Sequence, residues 1–150
     1  MNEIININLI SLDLKAKNKE EVIKKMAKMI EENGNLTSSE EFVRSVLARE
    51  EQTSTGVGRE ISIPHGKSEG VKKAAVAFAR LAQPVEWESF DDKKVKLVFL
   101  LAVPEKSESN QHLKILSTLS RNLLNEDFKR DLLQAENKEI INSIIQNIFA

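Results

Sequence analysis

Apolar side chains recur along the first 50 residues at the three- and four-residue spacing of a helix that buries one face. The first such set is Val22, Ile23, Met26, Ala27 and Ile30. Asn18 precedes it as a suitable N-cap, and Asn33-Gly34 follows it with residues that tolerate positive φ. The pattern therefore predicts a first helix between Asn18 and Asn33.

The same spacing predicts four more helices. The segment SSEE at 38–41 opens a second helix, whose apolar face is formed by Phe42, Val43, Val46 and Leu47. This helix carries Arg49 near its C-terminal end. We expect further helices at about 110–124, in a short segment around Phe128, and at about 137–149, where a broad isoleucine stripe indicates a core-facing helix.

Three segments show the β-branched or continuous apolar character of strands. They are Ile7–Leu12, Ala74–Leu81 (ended by Gln83-Pro84) and Val95–Val103 (ended by Pro104). The last is almost entirely apolar, which is typical of a central strand covered on both faces. Strands interleaved with helices predict an α/β layered protein, and 150 residues fit a single domain, 1–150.

Composition narrows the function classes. The chain has 22 basic and 23 acidic residues, and this balance argues against a partner such as nucleic acid or an anionic membrane. The absence of cysteine excludes disulfides and thiolate metal sites and fits a reducing compartment. No apolar run approaches the roughly 18 residues of a membrane span. We therefore expect a cytoplasmic protein.

One of the two histidines, His65, stands between a proline and a glycine. Pro64 fixes its own φ, so the chain should enter His65 as a stiff extended segment. Gly66 has no Cβ, so it can turn sharply and its N–H can be approached by a bulky anion. With the hydroxyls and glycine amides of TSTGVG at 53–58, these are the parts of a phosphate cradle beside a nucleophilic imidazole. On spacing alone, an ordinary surface histidine is the commoner interpretation.

Several motifs in the same order resemble a known family. Arg49-Glu50, STGVG at 54–58 and IPHGK at 63–67 are similar to the signature of bacterial sugar phosphotransferase enzyme IIA domains of the fructose–mannitol family. VKLVFLLAVP at 95–104 and QHL at 111–113 are also similar, most of all to the fructose-type members. The resemblance extends from the second helix to the last.

The resemblance implies a fold and a reaction. The fold is a mixed central β-sheet flanked by helices on both faces. Such domains accept a phosphoryl group from HPr on a histidine and pass it to a cysteine of a IIB domain, and the membrane IIC component takes part only indirectly. The phosphoryl group originates from phosphoenolpyruvate through enzyme I, so no cofactor or metal is implied.

The resemblance also implies the site residues. His65 is the phosphorylated nucleophile, with His112 and Arg49 as further active-site residues, and Thr55, Gly56 and Gly66 line the phosphoryl site. Without the family, Arg49 is better explained as a residue at a helix end and His112 as a surface histidine. A metal site is disfavoured because no short His-x-x-x-His spacing occurs. Trp87 is predicted to be a packing residue.

One position departs from the family pattern. Arg59-Glu60 stands where many relatives carry glycine, so a positive φ there would cost on the order of 1 kcal/mol.

Two other functions compete with the one that the resemblance implies. The principal rival is a nitrogen-related IIA protein, in which histidine phosphorylation controls partner binding. A hydrolase with His65 as general base is a weaker rival, because a nucleophile motif such as Gly-x-Ser-x-Gly is missing.

Overall fold

A computed structural model describes residues 4–89, 91–106 and 111–149, with only the backbone described at Gln111 and His112. A short 3-10 turn precedes the first strand. The strands are β1 (Ile10–Leu14), β2 (Gly56–Gly58), β3 (Ile61–Ser62), β4 (His65–Ser68), β5 (Ala75–Val85) and β6 (Val95–Pro104). The helices are α1 (Lys19–Glu32), α2 (Ser39–Gln52), α3 (Gln111–Leu123), α4 (Glu126–Gln134) and α5 (Lys138–Phe149).

The six strands form one mixed sheet, in which five strands follow the order β1-β5-β6-β3-β2 and β4 also pairs with β6. β5 and β6 run antiparallel at its centre, and β1 runs parallel to β5. β3 and β4 both run parallel to β6, one after the other along the same strand. This arrangement confirms the predicted α/β class with a mixed central sheet.

The two central strands are buried on both faces. Ala75 to Ala79 in β5 and Leu97 to Val103 in β6 are each at most 1% exposed, and neighbouring strand residues point to opposite faces. Phe78 and Phe99 meet edge to face, with ring centroids 5.1 Å apart. Helical layers therefore cover both sides of the sheet, as the continuous apolar run of β6 predicts.

The predicted helix boundaries are confirmed to within one or two residues because their caps are local. The Asn18 side chain accepts a hydrogen bond from the backbone N–H of Glu21, and Ser38 does the same for Glu41. Gly34 adopts φ +90° just after α1. All five apolar residues predicted for the α1 face are buried. Trp87 is 4% exposed, which confirms its predicted packing role.

Two strand predictions need correction. The segment predicted as a strand at Ile7–Leu12 begins with the 3-10 turn Ile7–Leu9, and the strand itself is shifted to Ile10–Leu14. β5 does not end at Gln83-Pro84 but continues to Val85. Its pairing with β6 changes register between Arg80 and Val85, and such an irregularity accommodates a proline that cannot donate to the ladder.

The turn between β2 and β3 contains the residues that depart from the family pattern. Arg59 has φ 57° and Glu60 has φ 70°, so neither replaces the glycine without backbone strain. The backbone N–H of Arg59 donates to Asp91 at 2.7 Å, and this bond, with the N–H of Lys93 and the Ser89 hydroxyl, lowers the pKa of Asp91 to about 2. The Glu60 side chain pairs with Lys129 at 3.4 Å.

Candidate functional site

His65 begins β4 at the point where the chain resumes its pairing with β6. β3 ends at Ser62, Ile63-Pro64 crosses the gap, and His65 pairs with Leu101 of β6. The carbonyl of Pro64 accepts a hydrogen bond from the N–H of Leu101 at 3.0 Å, which ties the proline to β6 although it has no N–H to donate. The stiff extended entry predicted for His65 is therefore present.

The ring orientation of His65 is set by a backbone carbonyl two residues earlier in the chain. Nδ1 lies 3.0 Å from the carbonyl oxygen of Ile63. Because a carbonyl can only accept a hydrogen bond, Nδ1 is the protonated nitrogen of this pair. In the neutral ring the lone pair therefore resides on Nε2.

Helix α2 packs closely on β4 through Gly66. A Cβ built at this position would lie 2.5 Å from the Ser45 hydroxyl oxygen and 2.8 Å from a methyl carbon of Val46. Gly66 is a strand residue without positive φ, so it does not make the sharp turn expected from the sequence. Its missing side chain instead brings α2, and with it Arg49, against the histidine strand.

A pocket of about 320 Å³ opens between α2 and β4. Its lining consists of Ser45, Ala48, Arg49, Gln52, His65, Gly66, Lys67 and Val103. Arg49 stands in the last turn of α2 and donates through Nη1 to the Thr53 carbonyl at 2.8 Å. Arg49 and Lys67 are cationic, and no acidic side chain is among the described residues of this lining. The pocket therefore favours an anion next to the imidazole.

Thr55 and Gly56 are not part of this lining. Thr55 is 4% exposed, and both its hydroxyl and its N–H donate to the carboxylate of Glu50. Gly56 lies under the Glu88 carbonyl, with which an added Cβ would overlap at 2.3 Å. Their N–H and hydroxyl donors already have partners in the fold, since the N–H of Gly56 donates to Ser54. The contact of Thr55 and Gly56 with a phosphoryl group stays a prediction.

His112 is the second residue of α3, and its side chain lies outside the described residues. Helix α3 is the next element after β6, whose residue Val103 lines the pocket. Of the six predicted site residues, the structure thus brings Arg49, His65 and Gly66 together around one pocket.

Sequence reasoning missed three residues that shape the site. Lys67 and Gln52 line the pocket, and Glu50 anchors the loop before β2. Gln52 stands three residues after Arg49 and so lies near it on the helix surface. Lys67 belongs to the IPHGK motif, but a lysine beside a histidine carries no signal of its own. Glu50 could not be distinguished from the other acids of α2 without knowledge of burial.

Within the described ranges, no group of three or more metal-ligating side chains comes together. The described helices also include none with the length and apolar content needed to cross a bilayer.

The mixed sheet and the cationic histidine pocket define an α/β domain suited to anion or phosphoryl chemistry. Residues 3–148 match the family model for the EIIA 2 component of the phosphoenolpyruvate-dependent sugar phosphotransferase system. The chain therefore belongs to this EIIA 2 family.

Relatives and a solved structure agree with this assignment. The chain is 37% identical to a fructose-specific EIIA component of Haloferax volcanii, over 97% of this chain and 94% of that protein. It is 38% identical to the fructose-specific EIIABC component of Bacillus subtilis over 95% of this chain, but spans only 22% of that longer protein. The nitrogen regulatory protein IIA-Ntr of Neisseria meningitidis superposes with a TM-score of 0.88 at 31% identity, covering 96% of this chain and 97% of that one.

Proposed function

We propose that this protein is a phosphocarrier of a fructose-type sugar phosphotransferase system. His65 accepts a phosphoryl group from phospho-HPr and passes it to a cysteine of a IIB domain. The observation that carries the proposal is the His65 ring, held by the Ile63 carbonyl at 3.0 Å beside Arg49 and Lys67 in one pocket. The Bacillus and Haloferax relatives are both named fructose-specific, which supports the sugar class.

The proposed reaction is an in-line transfer between protein side chains. The lone pair of His65 Nε2 attacks the phosphorus while the bond from phosphorus to the HPr histidine breaks, so the donor leaves with its electron pair. Phosphoryl transfer depends mainly on positioning and on stabilising the three equatorial oxygens. Arg49 offers these oxygens a planar fork of donors, and Lys67 adds a second positive charge. We assign His112 the role of a further donor at the start of α3.

No metal or cofactor takes part in the proposed transfer. Both reacting groups are side chains, and the phosphoryl group comes from phosphoenolpyruvate through enzyme I and HPr. Since these donors act in the cytoplasm, the proposal also locates the protein there. The IIB domain is the direct acceptor, and the membrane IIC component is involved only through it. The EIIABC name of the Bacillus relative supports this partnership.

Incubation with phosphoenolpyruvate, enzyme I and HPr tests the proposal. We expect an acid-labile, base-stable phosphate on the wild-type protein and none on a folded His65→Ala variant. Arg49→Ala should slow labelling by roughly 100-fold, the typical cost of losing one oxyanion donor. Arg44→Ala is the matched control, because Arg44 is on the same helix but pairs with exposed Glu40. His112→Ala should also slow labelling. A labelled His65→Ala variant refutes the assignment.

A second function has one specific observation in its favour. The Neisseria structure with a TM-score of 0.88 is a nitrogen regulatory IIA protein. In this alternative, His65 is phosphorylated in the same way, but the phosphate controls the binding of a regulatory partner. Transfer onward to IIB distinguishes the two functions.

A further inference from the structure

A buried acid follows Arg49 directly in α2, and the proposed transfer does not use it. The Glu50 side chain is only 3% exposed although it stands next to Arg49 on α2. Its two carboxylate oxygens accept hydrogen bonds from the N–H and the hydroxyl of Thr55. The ammonium nitrogen of Lys19 in α1 lies 3.6 Å from this carboxylate, and the Lys19 side chain is 35% exposed. A buried carboxylate is tolerated only when it is paired in this way, so these contacts fix the loop that follows α2.

The same loop is connected to the reactive ring by two backbone carbonyls. The carbonyl of Thr55 accepts a hydrogen bond from the N–H of Ile63 at 3.0 Å. The carbonyl of Ile63 in turn accepts from Nδ1 of His65 at 3.0 Å. An uninterrupted series of contacts therefore runs from the Glu50 carboxylate through Thr55 and Ile63 to the imidazole.

We propose that Glu50 is a positioning residue that, through Thr55, holds the Ile63 carbonyl where it selects the Nδ1–H tautomer of His65. This inference rests on the proposed function, in which Nε2 of His65 attacks the phosphorus. If the Ile63 carbonyl is displaced, the neutral ring can place its proton on Nε2, and the lone pair then faces the backbone. A buried carboxylate, three contacts away from the ring, therefore controls which nitrogen is nucleophilic.

Four variants test the inference. Glu50→Gln removes the charge and replaces one acceptor oxygen by an NH₂ group, and Thr55→Val removes the hydroxyl at nearly constant size. Thr55→Ser keeps the hydroxyl. Glu51→Gln is the matched control, because Glu51 is the adjacent residue on α2 and is exposed. For each variant we measure the His65 tautomer from imidazole ¹⁵N shifts at alkaline pH, the single-turnover transfer rate from phospho-HPr, and the melting temperature.

We expect Glu50→Gln and Thr55→Val to lower the population of the Nδ1–H tautomer and to slow transfer about tenfold, because small displacements at a reacting atom cost up to about 100-fold. Thr55→Ser should keep the wild-type tautomer population, and Glu51→Gln should keep both the tautomer population and the transfer rate close to wild type. If Glu50→Gln does not fold, the comparison of Thr55→Val with Thr55→Ser still tests the inference. Folded Glu50→Gln and Thr55→Val proteins with the wild-type tautomer and rate overturn the inference, even if they melt at lower temperature.

The tautomer measurement also separates this inference from the proposed function. A wild-type protein that HPr does not phosphorylate refutes the phosphocarrier role. The tautomer populations of the same variants still decide whether Glu50 sets the ring, since they require no transfer.

Discussion

The backbone at Arg59 and Glu60 adopts conformations that glycine would adopt at little cost. Arg59 and Glu60 follow Gly58, which also has a positive φ of 82°, and their φ angles of 57° and 70° have the signs of a two-residue type I′ hairpin turn, which usually contains Asn and Gly. The side chains offset part of the strain. Arg59 donates to the Leu123 carbonyl at 2.9 Å and pairs with Glu126, and Glu60 pairs with Lys129. The turn is thereby fastened to the α3–α4 junction.

Replacing Glu60 by glycine should therefore stabilise the protein. A left-handed backbone costs a non-glycine residue about 1–2 kcal/mol, whereas the partly exposed Glu60–Lys129 ion pair contributes on the order of 1 kcal/mol or less. We expect Glu60→Gly to raise the free energy of unfolding by about 0.5–1 kcal/mol in urea denaturation. Glu60→Gln, which removes only the charge, should be neutral or slightly destabilising. A less stable Glu60→Gly protein would mean that the contact with Lys129 outweighs the backbone strain.

At the scale of elements, the site depends on how closely α2 approaches β4. Gly66 leaves no room for a Cβ against Ser45 and Val46, and the Ser45 hydroxyl donates to the Lys67 carbonyl at 3.3 Å. Arg49 lies one turn further along the same helix. The distance between the helix and the strand therefore sets the distance between the guanidinium and the imidazole.

Gly66→Ala should affect stability and transfer together. The added methyl group must push α2 away, and such overpacking costs typically about 1–3 kcal/mol. We expect a lower melting temperature and slower labelling by phospho-HPr, because Arg49 moves with the helix. In the Gly66→Ala/Ser45→Ala protein the contact with the hydroxyl disappears, so part of both losses should be recovered. Wild-type stability of Gly66→Ala would contradict the close packing.

The elements also show what the sequence could predict. Helices α1 and α2 are accurately predicted because their caps and apolar faces are local features. Strands β2, β3 and β4 have only three, two and four residues, so they lack a periodic pattern. They form because β2 pairs with β3, and because β3 and β4 each pair with β6. The motifs predict His65 and Arg49 as site residues, and the structure places both at one pocket. The motifs do not predict the contact of Glu50 with Thr55, because the burial of Glu50 arises only in the folded chain.

At the scale of the whole molecule, the buried centre of the sheet and the candidate site lie on different strands. β5 and β6 form the buried centre, whereas His65 stands on β4, which pairs only with β6 among the described strands. A histidine on an outer strand, partly exposed beside cationic side chains, can be reached by a second protein without opening the core. The fold thus suits the proposed exchange of a phosphoryl group with two different partners.

Transfer to IIB domains tests whether a partner protein can reach His65 on the intact molecule. The phosphorylated protein, separated from enzyme I and HPr, should lose its label to an isolated fructose-type IIB domain. We expect transfer to a mannitol-type IIB domain to be slower by about tenfold or more, which corresponds to roughly 1.4 kcal/mol of discrimination between the two surfaces. A IIB domain with its cysteine replaced by serine is the control and should remain unlabelled. If the label stays on His65 with every functional IIB domain, transport is excluded and the regulatory function is favoured, because the imidazole then stores a signal that no acceptor cysteine removes.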